Sequence, residues 1–550
     1  MRDGQDSGSP TCEVPAEKSS TEQPLPPRWW PALAIFSLAT ISATAIWNVP
    51  DVMQQMRVLL TILGGSVTFL LSFWWAVFFS RFPKHVRRKI FVAVATVSIV
   101  GGALLEVRGV TGDFVPIVTW RWAPKPDQEL RVEARVRRPG DEVAGAEDEG
   151  PVGTPKPEIA VIGIQDSPQF LGLGGRSIVP GVSLAKSWNE AAMPEEVWRR
   201  DIGAGWSSFA VAGGEAYTLE QRGDDEIVVC YRLTDGEALW SHADDGRYSS
   251  VIAGDGPRST PALTANRVYT YGATGRLNCL DRFSGEVKWT RNVLEENDAS
   301  VPEWGVSCSP LIYLDMVIVS AGGSDGKSLV AYDRKTGESR WSSGSDRAGY
   351  SSPVLARFGD RFQIVLLNHG SVAGHDAVSG ELLWEHPWDA KRPNVAQPHV
   401  LEGGRVLVSS GYGVGAELLK VSPSESGEYQ VEVLWKNRNL KAKFSNFVVK
   451  DDFVYGLDDG ILVCLDLDTG ERRWKQQRFG HGQMLLFGDL LLISSEKGAI
   501  HLVEPSPEEF RLLGKKDILY GRTWQGPTYA QGLLLMRNDR HAVALKLPTR

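Results

Sequence analysis

A histidine set between glycines, His481 in Gly480-His-Gly-Gln483, is the residue of this 550-residue chain best placed to move a proton. Its flanking glycines leave the imidazole uncrowded. Trp206 and Trp524 could stack on a flat ligand, and Arg258 could pair with that ligand's carboxylates. Tyr350 and Asn446 recur at the same position of a repeat described below, so these six residues are expected at comparable depth around one channel mouth. The same residue types also plug and hydrogen-bond such a mouth without binding anything. No catalytic residue and no metal-ligand set is therefore assigned.

Other candidate motifs lack their context. Gly322-Gly-Ser-Asp-Gly326 has the G-x-S-x-G spacing of a nucleophile elbow, but an alternating strand follows it, not a helix. Gly411-Tyr-Gly-Val-Gly415 lacks the βαβ unit that a dinucleotide needs. Cys230, Cys279 and Cys464 sit at one repeat position on different units, too far apart for a disulfide, and read as buried small hydrophobes. With 59 Lys+Arg against 67 Asp+Glu the chain carries a net charge of −8, which argues against a nucleic-acid partner.

The elements that must position these residues fall into three stretches. Residues 1–28 are polar and proline-rich, and read as a disordered cytoplasmic tail. Within 29–108, three apolar runs over 30–47, 58–80 and 90–107 are expected to be transmembrane helices, the third reaching spanning length only with Glu106 and Arg108 snorkelling. Arg81, Lys84, Arg87, Arg88 and Lys89 crowd the second loop, which the positive-inside rule places in the cytoplasm. The N-terminus is then cytoplasmic, and everything after the third run lies in the periplasm or outside. Residues 109–158 read as an interfacial segment and a charged, proline-rich linker that holds the next domain off the membrane. Residues 159–194 are a lead-in segment.

From residue 195 onward the sequence repeats. The phrases Asp281-Arg-Phe-Ser-Gly-Glu-Val-Lys-Trp289, Asp333-Arg-Lys-Thr-Gly-Glu-Ser-Arg-Trp341, Asp376-Ala-Val-Ser-Gly-Glu-Leu-Leu-Trp384 and Asp466-Leu-Asp-Thr-Gly-Glu-Arg-Arg-Trp474 each follow a short alternating strand. Asp and Ser/Thr side chains can bond the turn's N–H groups, glycine supplies positive φ, and Trp ends in the next strand. The tryptophans from Trp198 to Trp474 recur every 39 to 52 residues. A second register, the first-strand starts at 206, 258, 307, 350, 395, 444, 481 and 524, counts eight units. Four antiparallel strands at this period predict an all-β, eight-bladed propeller over 195–550, closed by residues 195–201 pairing with the C-terminal strands.

These phrases resemble the pyrroloquinoline-quinone (PQQ)-type propeller repeat. That family includes quinoprotein dehydrogenases and the non-enzymatic BamB-like branch of outer-membrane assembly factors, to which this chain is closer in style. The resemblance implies a scaffold with a protein partner or ligand on a propeller face, and the three apolar runs make it membrane-anchored and extracytoplasmic, although the assembly factor it resembles is a lipoprotein. On this reading no catalysis and no cofactor are expected. The alternative is a PQQ- and Ca²⁺-dependent membrane dehydrogenase that oxidises a sugar or alcohol and passes electrons to a quinone. Against that alternative, no two cysteines are adjacent and no Glu/Asn/Asp calcium set can be placed.

Overall fold

A computed structural model describes residues 26–49, 52–130, 136–137, 163–189 and 192–550. Most of the expected tail and of the proline-rich linker lies outside these residues. The chain forms two units, Met1–Pro50 with Leu59–Ala103, and Asp51–Val58 with Leu104–Arg550.

The first unit is helical. Helices α1 (Trp30–Asn48) and α2 (Gln54–Trp74, extended by a π turn to Phe79) are long and apolar enough to cross a membrane. Their large side chains stand exposed, Trp30 by 70% and Leu63 by 61%, so neither helix is buried in a core. Helix α3 (Lys84–Leu104) opens on the basic turn and ends three residues before the expected 107, because Leu105 enters a strand. Its uncharged stretch, 90–104, spans about 22 Å at the helical rise.

The second unit is an eight-bladed β-propeller of four-stranded antiparallel blades. Blade 1 runs Ala210–Ala212, Glu215–Arg222, Asp225–Arg232 and Ala238–Asp245 from the axis outwards. Blade 8 takes Thr528–Ala530, Leu533–Arg537 and His541–Lys546 from the C-terminus, and its outer strand Glu195–Asp201 from the N-terminal side. The closing register runs from His541 opposite Asp201 to Lys546 opposite Glu195. Closure leaves no sheet open between the first and last blades.

Each repeat phrase folds as its residues dictate. Asp376 Oδ1 accepts the backbone N–H groups of Val378 (3.0 Å) and Ser379 (2.7 Å), and with Arg361 these donors hold its carboxyl down at about 2 against the effect of burial. The tryptophan ending each phrase then reaches the following blade. In five blades the indole N–H donates to a carbonyl of the next blade's turn: Trp198 to Leu233, Trp240 to Arg282, Trp289 to Arg334, Trp435 to Leu467 and Trp474 to Ser506, at 2.8 to 3.2 Å, whereas Trp384 donates to Gln363 Oε1 of its own blade. A Cβ on Gly470 (φ +69°) would come within 2.6 Å of the Trp435 ring. Just before the tryptophan position, every outer strand carries an extra residue, such as Leu434 between Trp435 and Val433, which bulges the rim. Blade 7 has Gly514 where the others have tryptophan, and Trp188 of the lead-in segment packs over that glycine instead.

A buried charge network clasps blade 8 to blade 1. Arg537, fully buried, donates to Thr218 Oγ1 and Leu219 O (both 2.9 Å) and to Gly203 O (2.7 Å). Glu220 pairs with Arg222 at 2.8 Å and accepts from the Tyr231 hydroxyl. Burial alone would raise the Glu220 carboxyl, but Arg222 and Arg537 outweigh it and hold the group below its ordinary range.

Residues 109–130 are not linker. Strands β1 (Leu105–Val110) and β2 (Pro116–Trp120) form a hairpin. Beyond it, Asp127 pairs with Arg247 at 2.8 Å, and Val136–Arg137 adds a parallel strand to the outer edge of blade 1. Residues 105–130 therefore contact the propeller, where a linker was expected from residue 109 onward.

Two outcomes follow. Trp435→Ala should destabilise the propeller by about 3–5 kcal/mol in denaturant melts, the cost of truncating a large buried aromatic. Because the Glu220 pKa is depressed, its contribution to stability is complete above the unfolded carboxyl's pKa and is lost as pH falls through the folded one. Glu220→Gln should therefore lower the melting temperature at neutral pH and flatten its decline on acidification.

Candidate functional site

The eight inner strands begin on the propeller face that carries the links between blades, opposite the turns of the repeat phrases. There they bring the predicted residues to the axis. Trp206 and Trp524 approach with ring centroids 4.8 Å apart, and the Arg522 guanidinium lies 5.1 Å from each. Phe444 bridges Trp524 (5.1 Å) and His481 (5.0 Å). On the other side Tyr350 stacks on Trp304 at 5.1 Å. These walls enclose an axial cavity of about 160 Å³, lined by Trp206, Arg258, Tyr350, Asn446 and Trp524 of the predicted six. His481 lies beside the cavity, not in it.

The hairpin closes this cavity from above. Its tip, Thr111-Gly-Asp-Phe114, enters the axis, and Gly112 is the point of closest approach: a Cβ there would stand 2.1 Å from His481 Cδ2. Gly112 N–H donates to Glu496 Oε1 at 2.6 Å, and Gly112 O accepts from the Lys443 ammonium and from Gln55 Nε2 (2.9 Å). Val110 O accepts from Arg522 at 3.1 Å. Asp113 lies 3.3 Å from Arg478 and 3.4 Å from His481 Nε2. Burial would raise the Asp113 carboxyl, but His481, Arg478 and Lys443 outweigh it and lower it.

Glu496 and Lys443 organise this contact, and neither was singled out from the sequence. Glu496 also accepts from Trp524 Nε1 (2.9 Å) and from the His481 backbone (3.2 Å). Lys443 is buried among Phe114, Tyr412 and Phe444, its ammonium 4.8 to 5.3 Å from their ring centroids, and desolvation lowers its pKa to about 8. The available signal was positional: Lys443 immediately precedes one first-strand start, and Glu496 follows the second strand of the His481 blade.

From below, the lead-in segment stops the axis. Phe170 and Leu171 line the cavity, Ser167 bridges to Val211, and Ile178–Val179 pairs in parallel with the innermost strand of blade 7. Asn446 serves this floor: its amide donates to Ser177 Oγ (2.6 Å) and Met484 O (2.9 Å). Arg258 is engaged as well. It stacks 4.5 Å from the Tyr248 ring and donates to Gly256 O, Ala253 O (2.9 Å) and Gly254 O (3.0 Å), while burial brings its pKa down to about 10. The Tyr350 hydroxyl accepts from Trp304 N (3.3 Å), and burial pushes it up to about 12.

These residues do not fit PQQ with its calcium. The cavity is smaller than the roughly 300 Å³ at which small-molecule pockets begin. The carboxylate-binding fork of Arg258 is turned onto backbone oxygens, and Glu496 and Asp113 hold the hairpin. Among the described residues no group of three or more His, Cys, Asp or Glu could hold a metal ion. The remaining sequence motifs resolve into turns: Ser324 lies in the hairpin between Met316–Gly323 and Lys327–Asp333, and residues 411–414 join Arg405–Ser410 to Gly415–Pro423. Cys230, Cys279 and Cys464 are buried opposite Tyr217, Tyr269 and Tyr455.

Gly112→Ala should unseat the hairpin while leaving the blades intact. Hydrogen exchange across 105–120 should accelerate by about tenfold or more, the effect of losing buried hydrogen bonds worth ~1–3 kcal/mol. The melting curve of the propeller should barely move, and unchanged exchange at 105–120 would refute the axial contact.

Residues 224–476 match the family model of the outer membrane protein assembly factor BamB. Among solved structures, BamB from Moraxella catarrhalis is similar at 16% identity over 65% of this chain and 98% of that one, with a TM-score of 0.48. Quinohemoprotein alcohol dehydrogenase from Comamonas testosteroni is similar at 12% identity over 70% of this chain and 81% of that one, with a TM-score of 0.51. No curated protein matches this sequence. At such identity the second likeness is one of fold alone. Residues 224–476 thus carry PQQ-type repeats similar to those of BamB, within a closed eight-bladed β-propeller.

Proposed function

We propose that this protein is a membrane-anchored scaffold whose propeller stands outside the cytoplasm and presents its faces to a protein partner, with no chemistry of its own. The observation that carries this reading is the stoppered axis. The mouth where a cofactor would enter is filled by the chain's own hairpin, and the polar groups beneath it bond to the protein itself. A site built for turnover needs an entry path and free polar groups aimed at the reacting atoms. The opposite face, which carries the turns of the repeat phrases, leaves Phe283, Leu314, Phe362 and Val378 exposed by 43–60%, apolar surface suited to a partner. Helices α1 and α2 support anchoring by their length and composition, and the basic stretch 81–89, which opens α3, supports its cytoplasmic placement.

Two measurements test this. Full-length protein mixed with PQQ and Ca²⁺ should oxidise neither sugars nor alcohols with an artificial electron acceptor. Turnover that disappears in Arg258→Ala would establish the dehydrogenase instead. Alkaline phosphatase fused after residue 550 should be active, and an inactive fusion beside an active cytoplasmic reporter would reverse the topology.

A further inference from the structure

The docking hairpin is amphipathic the wrong way round for water. Its cross-strand pairs Leu105–Trp120 and Val107–Val118 share one face, and that face is exposed, Val107 by 50%, Val118 by 53% and Trp120 by 51%. The polar face, with Glu106, Arg108 and Thr119, is half-buried: Arg108 pairs with Glu106 at 2.6 Å and donates to Pro124 O at 2.9 Å. A hairpin in water tends to bury its apolar face, and an exposed apolar face is a surface suited to an apolar occupant.

The hairpin borders a groove of about 740 Å³, to which it contributes Leu105, Val118 and Trp120 with Arg108 and Thr119, and blade 8 contributes Asp201, Arg540 and His541 at its strand ends. Arg540 is exposed, and its guanidinium has no hydrogen bond or ion pair to any described residue. His541 Nε2 lies 3.4 Å from Asp201 Oδ1. A groove with an apolar wall and a free cation at its rim suits an amphiphile with an anionic head. Chain connectivity indicates where that amphiphile comes from, since Leu105 directly follows the last residue of α3. Trp120 and Trp122 stack at 5.3 Å and stand exposed beside the groove, the residue type that gathers at the bilayer interface.

We propose that this groove seats an anionic phospholipid of the bilayer, its acyl chains on Leu105, Val118 and Trp120 and its phosphate on Arg540 and His541. The proposal rests on reading the N-terminal helices as membrane spans. It makes the hairpin a two-ended clamp, with its tip in the propeller axis and its base in the lipid interface.

The test uses the full chain reconstituted into phosphatidylcholine vesicles with and without phosphatidylglycerol, recovered by flotation, then extracted in neutral detergent for native mass spectrometry of retained lipid. Phosphatidylglycerol should be retained in preference to phosphatidylcholine. Arg540→Gln should lower that retention ~fivefold, the effect of one basic residue at an anionic surface. Val118→Asp should abolish it with the circular dichroism spectrum unchanged. Equal retention of both lipids, no effect of Arg540→Gln, displacement by inorganic phosphate, or a second protein copy in place of lipid would each overturn the proposal. A chain that floats but retains no phosphatidylglycerol defeats this site alone, whereas one that fails to float defeats the anchor reading and the site together.

Discussion

The contact on which this molecule depends is a tryptophan indole laid on the turn of the next blade, with its N–H donated to a carbonyl of that turn. A four-stranded blade has two apolar faces and cannot bury either alone, so the blades are stable only against each other. The tryptophan supplies large apolar area and one directional bond at the rim, where strand pairing has ended. Beneath Trp198, Trp240, Trp289, Trp341 and Trp435 the turn carries a glycine at positive φ whose Cβ would meet the ring. The dependence shows at blade 7, where Gly514 leaves the position open and Trp188 fills it from a segment outside the repeat. Ring closure answers the same demand between the first and last blades, and buried Arg537, Glu220 and Arg222 make that junction specific.

Eight inner strands leave a channel, and a channel must be filled by side chains, water, a ligand or more chain. Here more chain fills it from both ends. The upper plug brings backbone groups, not side chains, to the axis, because only Gly112 can approach His481 so closely. Its carbonyl and amide meet Lys443 and Glu496, so two buried opposite charges are each bonded through one glycine. That arrangement links the end of a helix to the centre of the propeller through a hairpin. Hydrogen bonds from Glu496, Lys443 and Arg522 thus tie the hairpin to the propeller.

The repeat was legible because its signals are local. Asp, Ser/Thr and Gly set a turn within a few residues, and Trp at fixed spacing marks the strand after it. Blade number and closing strand followed from counting those turns. Five of the six candidate residues do meet around one cavity, because equivalent repeat positions lie at equivalent depth. Their roles were not legible. Arg258 reads as a free cation until its bonds to Ala253 and Gly254 are seen, and Asn446 reads as a channel donor until Ser177 is seen beneath it. The hairpin was missed because Gly109, Gly112 and three prolines between 116 and 126 mimic linker composition, and its alternating apolar positions, Leu105, Val107, Val118 and Trp120, are too few to stand out beside the preceding apolar run.

By itself the sequence determined what short-range physics enforces: apolar helices of membrane-spanning length, eight strand-turn units, and the rim position of their tryptophans. The tertiary structure alone decided what occupies the axis. The partners there, Gly112 with Glu496 and Lys443, are 384 and 331 residues apart, and no local propensity records a contact that exists only once the ring has closed.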